Sequence, residues 1–314
     1  MATKPAELPR GSRATRAEWV SSPERGSLTL LRMMTFVSLR LGRPVGRLIL
    51  HFIALYFFLF APTARRHSIA YLRRVLGREP VAADRWRQVF NFASIILDRL
   101  YLVNERYDLF DIGIEGEELM REQLDSGAGV FLMGAHFGSF EAMSAVGRRR
   151  PGLKVAMAMY EENARKVTAM FKALNPANKS EVIALGHIEA MLRIRERLDE
   201  GVFLGILGDR TIGGEPGLMV EFLGKPALFP LGPMRAAAVL RKPVFFMLGI
   251  YKGGNRYHAV FEKLADFSEL RSGEREAAVE AAIRRFAGLL EKYCRTEPYN
   301  WFNFFDFWRG PHGE

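Results

Sequence analysis

The chain has 314 residues and a formal net charge of +10, from 45 Lys and Arg against 35 Asp and Glu. That length accommodates one large α/β domain with appended elements or two small domains, and a single cysteine, Cys294, excludes an intramolecular disulfide framework and fits a reducing compartment. The six histidines lack zinc-ligand spacing, so no metal site and no cofactor is indicated, and the positive charge calls for an anionic partner: nucleic acid, an anionic membrane surface or an acidic carrier protein.

Residues 1–26 are basic and aperiodic, the pattern of a mobile tail. Residues 27–80 read as a membrane-associated helical segment. Its centre is the apolar run LILHFIALYFFLFA, Leu48 to Ala61, interrupted by His51 and closed by Pro62. The run is shorter than the ~20 residues of a usual spanning helix, and it starts too far along the chain for a cleaved signal peptide. A buried core helix would read the same way. Arginines at 40, 43, 47, 65, 66, 73 and 74 flank it, however, and Tyr56 and the phenylalanines suit an interface. A single span would drag the arginine-rich first 47 residues across the bilayer, so a segment that enters one leaflet and returns is expected. Leu28 to Leu39 would be its partner helix.

Residues 81–314 read as one α/β domain. Ala82 to Asn104 has the apolar spacing of a core-facing helix. From Tyr107 short apolar runs alternate with helical patterns. Strands are expected at 109–114, 130–133, 153–159, 182–185, 202–207, 244–250 and 257–261, and helices at 117–124, 140–147, 161–174, 188–199, 233–240 and 274–293. This rhythm predicts a mostly parallel central sheet flanked by helices on both faces.

Open parallel sheets bind ligands outside the carboxyl ends of their strands. Polar residues collect there: His136 and Glu141 after 130–133, His187 after 182–185, and Asp209 and Arg210 after 202–207. In GAHFGSFEA, Gly134 to Ala142, the five-residue spacing lets Glu141 reach back to His136, fix its tautomer and stabilise the imidazolium. The plain alternative is a helix-dipole role for Glu141 and a loop role for His136. Asp209 and Arg210 read equally well as a salt-bridged strand end, and nothing frames His187. Ser139 lies in H-F-G-S-F, not the G-x-S-x-G elbow of serine hydrolases, and neither a phosphate-binding loop nor a Rossmann glycine fingerprint is present.

Several blocks together resemble the lipid A late acyltransferases, the lauroyl and myristoyl transferases of the lysophospholipid acyltransferase superfamily. They are the N-terminal apolar helix, GAHFGSFEA, LGDRT, Val220 to Gly249, and the aromatic end PYNWFNFFDFWRGPHGE. The resemblance implies a catalytic pair at His136 and Glu141 and an acidic position at Asp209. It also implies an arginine where this chain has Glu161, a role that Arg165 or Lys166 would take over, and a more basic stretch where FDFW stands. The acceptor need not be lipid A.

The expected reaction is acyl transfer from a thioester, on acyl carrier protein or CoA, to a hydroxyl of a membrane lipid acceptor. His136 acts as base, and Gly138 amides or Arg210 hold the oxyanion. Phe222, Phe229 and Phe245 would line an acyl-chain groove, although ordinary core would look identical. Arg148, Arg149, Arg150 and Lys154 would dock the carrier, unless they form a solvated face. The expected location is the inner, cytoplasmic membrane, with the catalytic domain facing the cytoplasm. Nucleic acid is disfavoured because the cations flank an apolar run. An acyl-thioester hydrolase and a non-catalytic membrane-associated binding protein are the rival readings.

Overall fold

The computed structural model describes residues 28–177, 180–211 and 215–308; the expected tail at 1–26 and residues 309–314 lie outside them. The segment α1 (Leu28–Phe60) holds the two expected N-terminal helices, which meet at a kink. It bends where Gly42 takes φ 82°, a conformation open to glycine, two residues before Pro44. Pro62 begins α2 (Pro62–Leu76), which ends at the left-handed Gly77. Helix α3 (Ala82–Val103) follows.

The remainder builds a seven-stranded sheet in the order β1-β9-β8-β2-β5-β3-β4. The strands are β1 (Asp111–Glu115), β2 (Val130–Gly134), β3 (Val155–Tyr160), β4 (Glu181–Leu185), β5 (Phe203–Leu207), β8 (Pro243–Tyr251) and β9 (Arg256–Asp266). All neighbours are parallel except the β8–β9 hairpin. The connecting helices are α4 (Glu117–Asp125), α5 (Phe140–Arg148), α6 (Glu161–Leu174), α7 (Ile188–Asp199) and α8 (Gly232–Val239), with α9 (Arg275–Thr296) last. The central strands are apolar throughout because both faces are covered: β2 is buried at all five positions. Phe131 and Met133 face one layer, and Val130 and Leu132 the other.

One element departs from the expected order. Residues given no strand or helix from the sequence form an antiparallel hairpin, β6 (Gly217–Phe222) and β7 (Lys225–Pro230). Its two-residue turn has positive φ at both Leu223 (51°) and Gly224 (76°), the twist-matched hairpin geometry. The Leu223 amide donates to Glu291 Oε2 at 2.8 Å, which holds an apolar residue in a conformation it otherwise avoids.

Helix α1 lies against α3 along its length, in the antiparallel sense. Tyr101 donates to the Ser38 carbonyl at 2.9 Å, Arg43 grips the fully buried Asp98 at 2.7 and 2.9 Å, His51 meets Phe90 at 4.6 Å and Phe58 meets Trp86 at 5.7 Å. The opposite side exposes Leu48, Phe52, Leu55, Tyr56, Leu59 and Phe60.

The loop after β2 sits directly on β8. Ser139 donates to the Gly249 carbonyl at 2.7 Å, and a Cβ on Gly249 would stand 2.2 Å from the Ser139 carbonyl oxygen. Gly249→Ala therefore lowers stability by about 3 kcal/mol, read as denaturant midpoint. Gly232→Ala, with nothing within 4 Å of the added carbon, changes it by less than about 0.5 kcal/mol.

Candidate active site

Strands β2 and β5 are neighbours, paired in register from Val130↔Phe203 to Gly134↔Leu207. His136 and Asp209 each lie two residues past the last pair, so the parallel ladder delivers them side by side at the carboxyl edge. Asp209 Oδ1 accepts from His136 Nδ1 at 2.8 Å, and Oδ2 accepts the His136 backbone N–H at 3.0 Å and the Trp301 indole N–H at 3.2 Å. The carboxylate is fully buried, whereas the imidazole side chain keeps 32 % of its surface exposed. One ring nitrogen is fixed, and among the described residues no hydrogen bond engages the other, Nε2.

Glu141 does not fill the expected place beside the ring. Its carboxylate pairs with Arg99 Nε of α3 at 2.7 Å and receives Ser139 Oγ at 3.5 Å. Ser139 itself caps α5, accepting the Ala142 amide at 3.1 Å. The reason is geometric. Glu141 belongs to the first turn of α5, which faces α3, while Asp209 comes off the strand adjacent to that carrying His136.

Electrostatics favours a neutral imidazole and an ionised Asp209. Burial lowers the His136 pKa below its ordinary 6.5 and Arg210 adds to this, against the opposing pull of Asp209. The ring's partial exposure moderates the burial contribution. Burial alone would raise the Asp209 carboxyl, but the imidazole, Arg210 and the His136 amide outweigh it and bring it down to about 2. Burial lowers Arg210 to about 10, still charged at neutral pH, against the stabilising field of Asp209.

Arg210 donates to the Phe302 carbonyl at 3.0 Å and stacks on Phe305 at 4.9 Å. The C-terminal segment thus closes over the site. Phe302 N–H donates to the His136 carbonyl at 2.9 Å, and Gly138 N–H to the Asn300 carbonyl at 2.8 Å. The Gly138 amide expected as an oxyanion donor is therefore engaged. The glycine itself serves backbone packing, since with φ 62° a Cβ there would stand 1.9 Å from the Gly249 carbonyl oxygen. Asn300 in turn clasps the Tyr251 backbone through both its side-chain atoms, at 2.9 and 3.2 Å.

The three phenylalanines expected to line one groove lie on both faces of the sheet. Phe222 and Phe229 pack in one layer, and Phe245 in the other. Phe222 and Phe229 form a wall with Trp301 and Phe307, with ring centroids 4.8 to 5.8 Å apart. That wall sets the indole against Asp209. An apolar cavity of about 80 Å³ lies on the other face, among Ile114, Leu124, Leu132, Phe140, Met143 and Met247.

Arg165 is exposed on α6, and among the described residues no contact joins it to His136. His187 pairs with Glu161 at 3.4 Å on the surface. The basic residues expected near the site lie at the opposite edge: Arg148 pairs with Glu105 at 3.7 Å, Arg150 with Glu117, and the Lys154 carbonyl meets Phe203 at the start of β5. They belong to the amino ends of the strands because α5 runs back from the site.

Trp301, Asn300 and Arg99 were not singled out by sequence reasoning. The equal two-residue offset of His136 and Asp209 from adjacent strands was the available signal for their pairing.

Comparison with curated proteins returns no match. The sequence model of the bacterial lipid A biosynthesis acyltransferases matches residues 17–310. Family membership makes the chain a lipid A-type acyltransferase, with an acyl thioester donor and a lipid acceptor, and together with the exposed face of α1 it points to membrane association. A histidine held by a buried carboxylate at the carboxyl edge of a mostly parallel sheet stands within that match, and the chain belongs to the bacterial lipid A biosynthesis acyltransferase family.

Proposed function

We propose that the chain moves a fatty acyl group from an acyl carrier protein thioester to a hydroxyl of a membrane lipid or glycolipid acceptor, with His136 as general base. The observation that carries this is the 2.8 Å contact of Asp209 with His136 Nδ1, which leaves Nε2 to take the hydroxyl proton. The acceptor oxygen bonds to the thioester carbonyl carbon, the C–S bond breaks, and the proton on His136 passes to the departing thiolate. Asp209 fixes the tautomer and stabilises the transient imidazolium. Glu141 acts through Arg99, anchoring the start of α5. The net charge of +10 suits an acidic carrier, and the end of the acyl chain enters the cavity beside Phe140 and Met247.

The membrane is met by α1. Its segment Ser38–Phe60 is 23 residues long with a mean hydropathy of 1.4, long enough to cross. It is nevertheless bound along its length to α3, which carries Asp84, Arg85, Arg87, Asp98 and Arg99. Such a partner opposes spanning. We place the outer face of α1 in one leaflet, with the exposed Arg65 and Arg66 at the headgroups of the cytoplasmic surface.

Membranes carrying the full chain, given labelled lauroyl carrier protein or lauroyl-CoA, are expected to yield labelled lipid ester. His136→Ala abolishes it, and Asp209→Asn lowers kcat/KM by roughly 10²–10⁴-fold through the wrong tautomer. Label appearing only as free acid would mean a hydrolase, and undiminished ester from His136→Ala would remove the base assignment.

The lowered His136 pKa keeps the base neutral until pH falls below 6.5, so the acid limb of kcat/KM lies under that value. Glu141→Gln is expected to cost roughly 2 kcal/mol of stability by leaving Arg99 unpaired, without moving that limb. A shifted limb in Glu141→Gln would return the carboxylate to the catalytic pair.

For the membrane arrangement, Arg40→Cys and Arg65→Cys are each expected to react with an impermeant maleimide added from the cytoplasmic side. Protection of one, lifted from the other side, would mean that α1 crosses.

A further inference from the structure

Asn303 is 2 % exposed, and neither its Oδ1 nor its Nδ2 has a hydrogen-bond partner. A buried carboxamide in that state costs roughly 1–3 kcal/mol per unmet group. Such a cost at a working site is the mark of a group kept for a ligand.

Two observations put the residues just before Asn303 against His136, Asp209 and Arg210. Its neighbour Phe302 bonds the His136 carbonyl through its N–H at 2.9 Å and receives Arg210 Nη2 at 3.0 Å. Trp301 is bridge-paired with Phe137 and sends its indole to Asp209. Asn303 follows directly on this pair, one residue past the carbonyl that holds Arg210. The backbone donors nearby are spent: His136 N–H on Asp209, Gly138 N–H on Asn300 and Ser139 N–H on Gly249. Acyl transfer develops charge on the thioester oxygen, which needs a donor.

We propose that the Asn303 carboxamide binds the donor on both sides of its sulfur, Nδ2 donating to the thioester carbonyl oxygen and Oδ1 accepting the first amide N–H of the pantetheine arm. This rests on the acyl-thioester reading above. Carrier protein and CoA share the arm, and its first amide lies two carbons beyond the sulfur, within the span of one carboxamide. The partly exposed Phe304 and Phe305 follow Asn303 in a stretch without helix or strand. They shift to admit the arm.

The test uses the full chain in membranes with three lauroyl donors: carrier protein, CoA, and the 2-mercaptoethanol thioester, which lacks the amide. Asn303→Leu removes both unmet polar atoms at similar volume. It is expected to hold or raise the melting temperature while labelled ester falls about 100-fold with both natural donors. The gap to wild type narrows with the mercaptoethanol thioester. Should Asn303→Leu lower the melting temperature, Asn303→Ala decides by the same comparison. Wild-type rates in the variants overturn the assignment, as does a loss confined to one natural carrier or equally large with the truncated donor. A wild-type protein that forms no ester from either natural donor overturns the acyl-thioester reading itself.

Discussion

The carboxylate of Asp209 is fully buried yet ionised, and the carboxyl edge of the sheet is arranged around that constraint. Taking a charge out of water is costly unless its partners are close and well aimed. Here the partners are the His136 ring, the His136 backbone amide and the Trp301 indole, all within 3.2 Å. Each answers a different part of the structure. The ring is the base of the proposed reaction, the amide fixes the loop after β2, and the indole brings in the C-terminal segment. Loss of any one leaves a buried charge short of a donor, so the interaction proposed to activate His136 also holds the site together.

Trp301 explains why an aromatic chain end matters to a site formed more than 90 residues earlier. Its carbonyl receives Gln88 of α3 at 2.9 Å, its ring rests on Tyr71 of α2 at 4.9 Å, and the β6–β7 hairpin closes it from the other side through Phe222. Helices α2 and α3 are thus tied to the sheet through the residue that contacts Asp209. Because α1 lies along α3, its exposed apolar face and the edge that carries His136 belong to one connected body. Phe92 of α3, partly exposed, reaches Phe302 at 5.2 Å, which links the surface of α3 to the segment bonded to His136.

Most of the α/β framework was legible in the sequence because parallel strands buried on both faces are continuous apolar runs and the helices between them are amphipathic. The β6–β7 hairpin was not, because its turn puts Leu223 in a conformation usually reserved for glycine, with Glu291 supplying the compensation from far along the chain. At the site, His136 and Asp209 were both visible as strand-end residues. Their pairing was hidden by a closer carboxylate, Glu141, which spacing favours and packing assigns to Arg99. Strand order decides between them, and order is a property of the sheet. The phenylalanines are a similar case: composition cannot tell a wall from a groove, and here Phe222 and Phe229 are wall.

On the proposed mechanism Asp209 sets the protonation pattern of His136. Nitrogen-15 NMR of the histidine side chains in the full chain tests it directly. At pH 7 one ring is expected with a protonated, hydrogen-bonded Nδ1 and a bare Nε2, assigned through its absence in His136→Ala, unchanged in Glu141→Gln and lost in Asp209→Asn. A His136 ring protonated at Nε2, or one whose pattern collapses in Glu141→Gln and survives in Asp209→Asn, would contradict it.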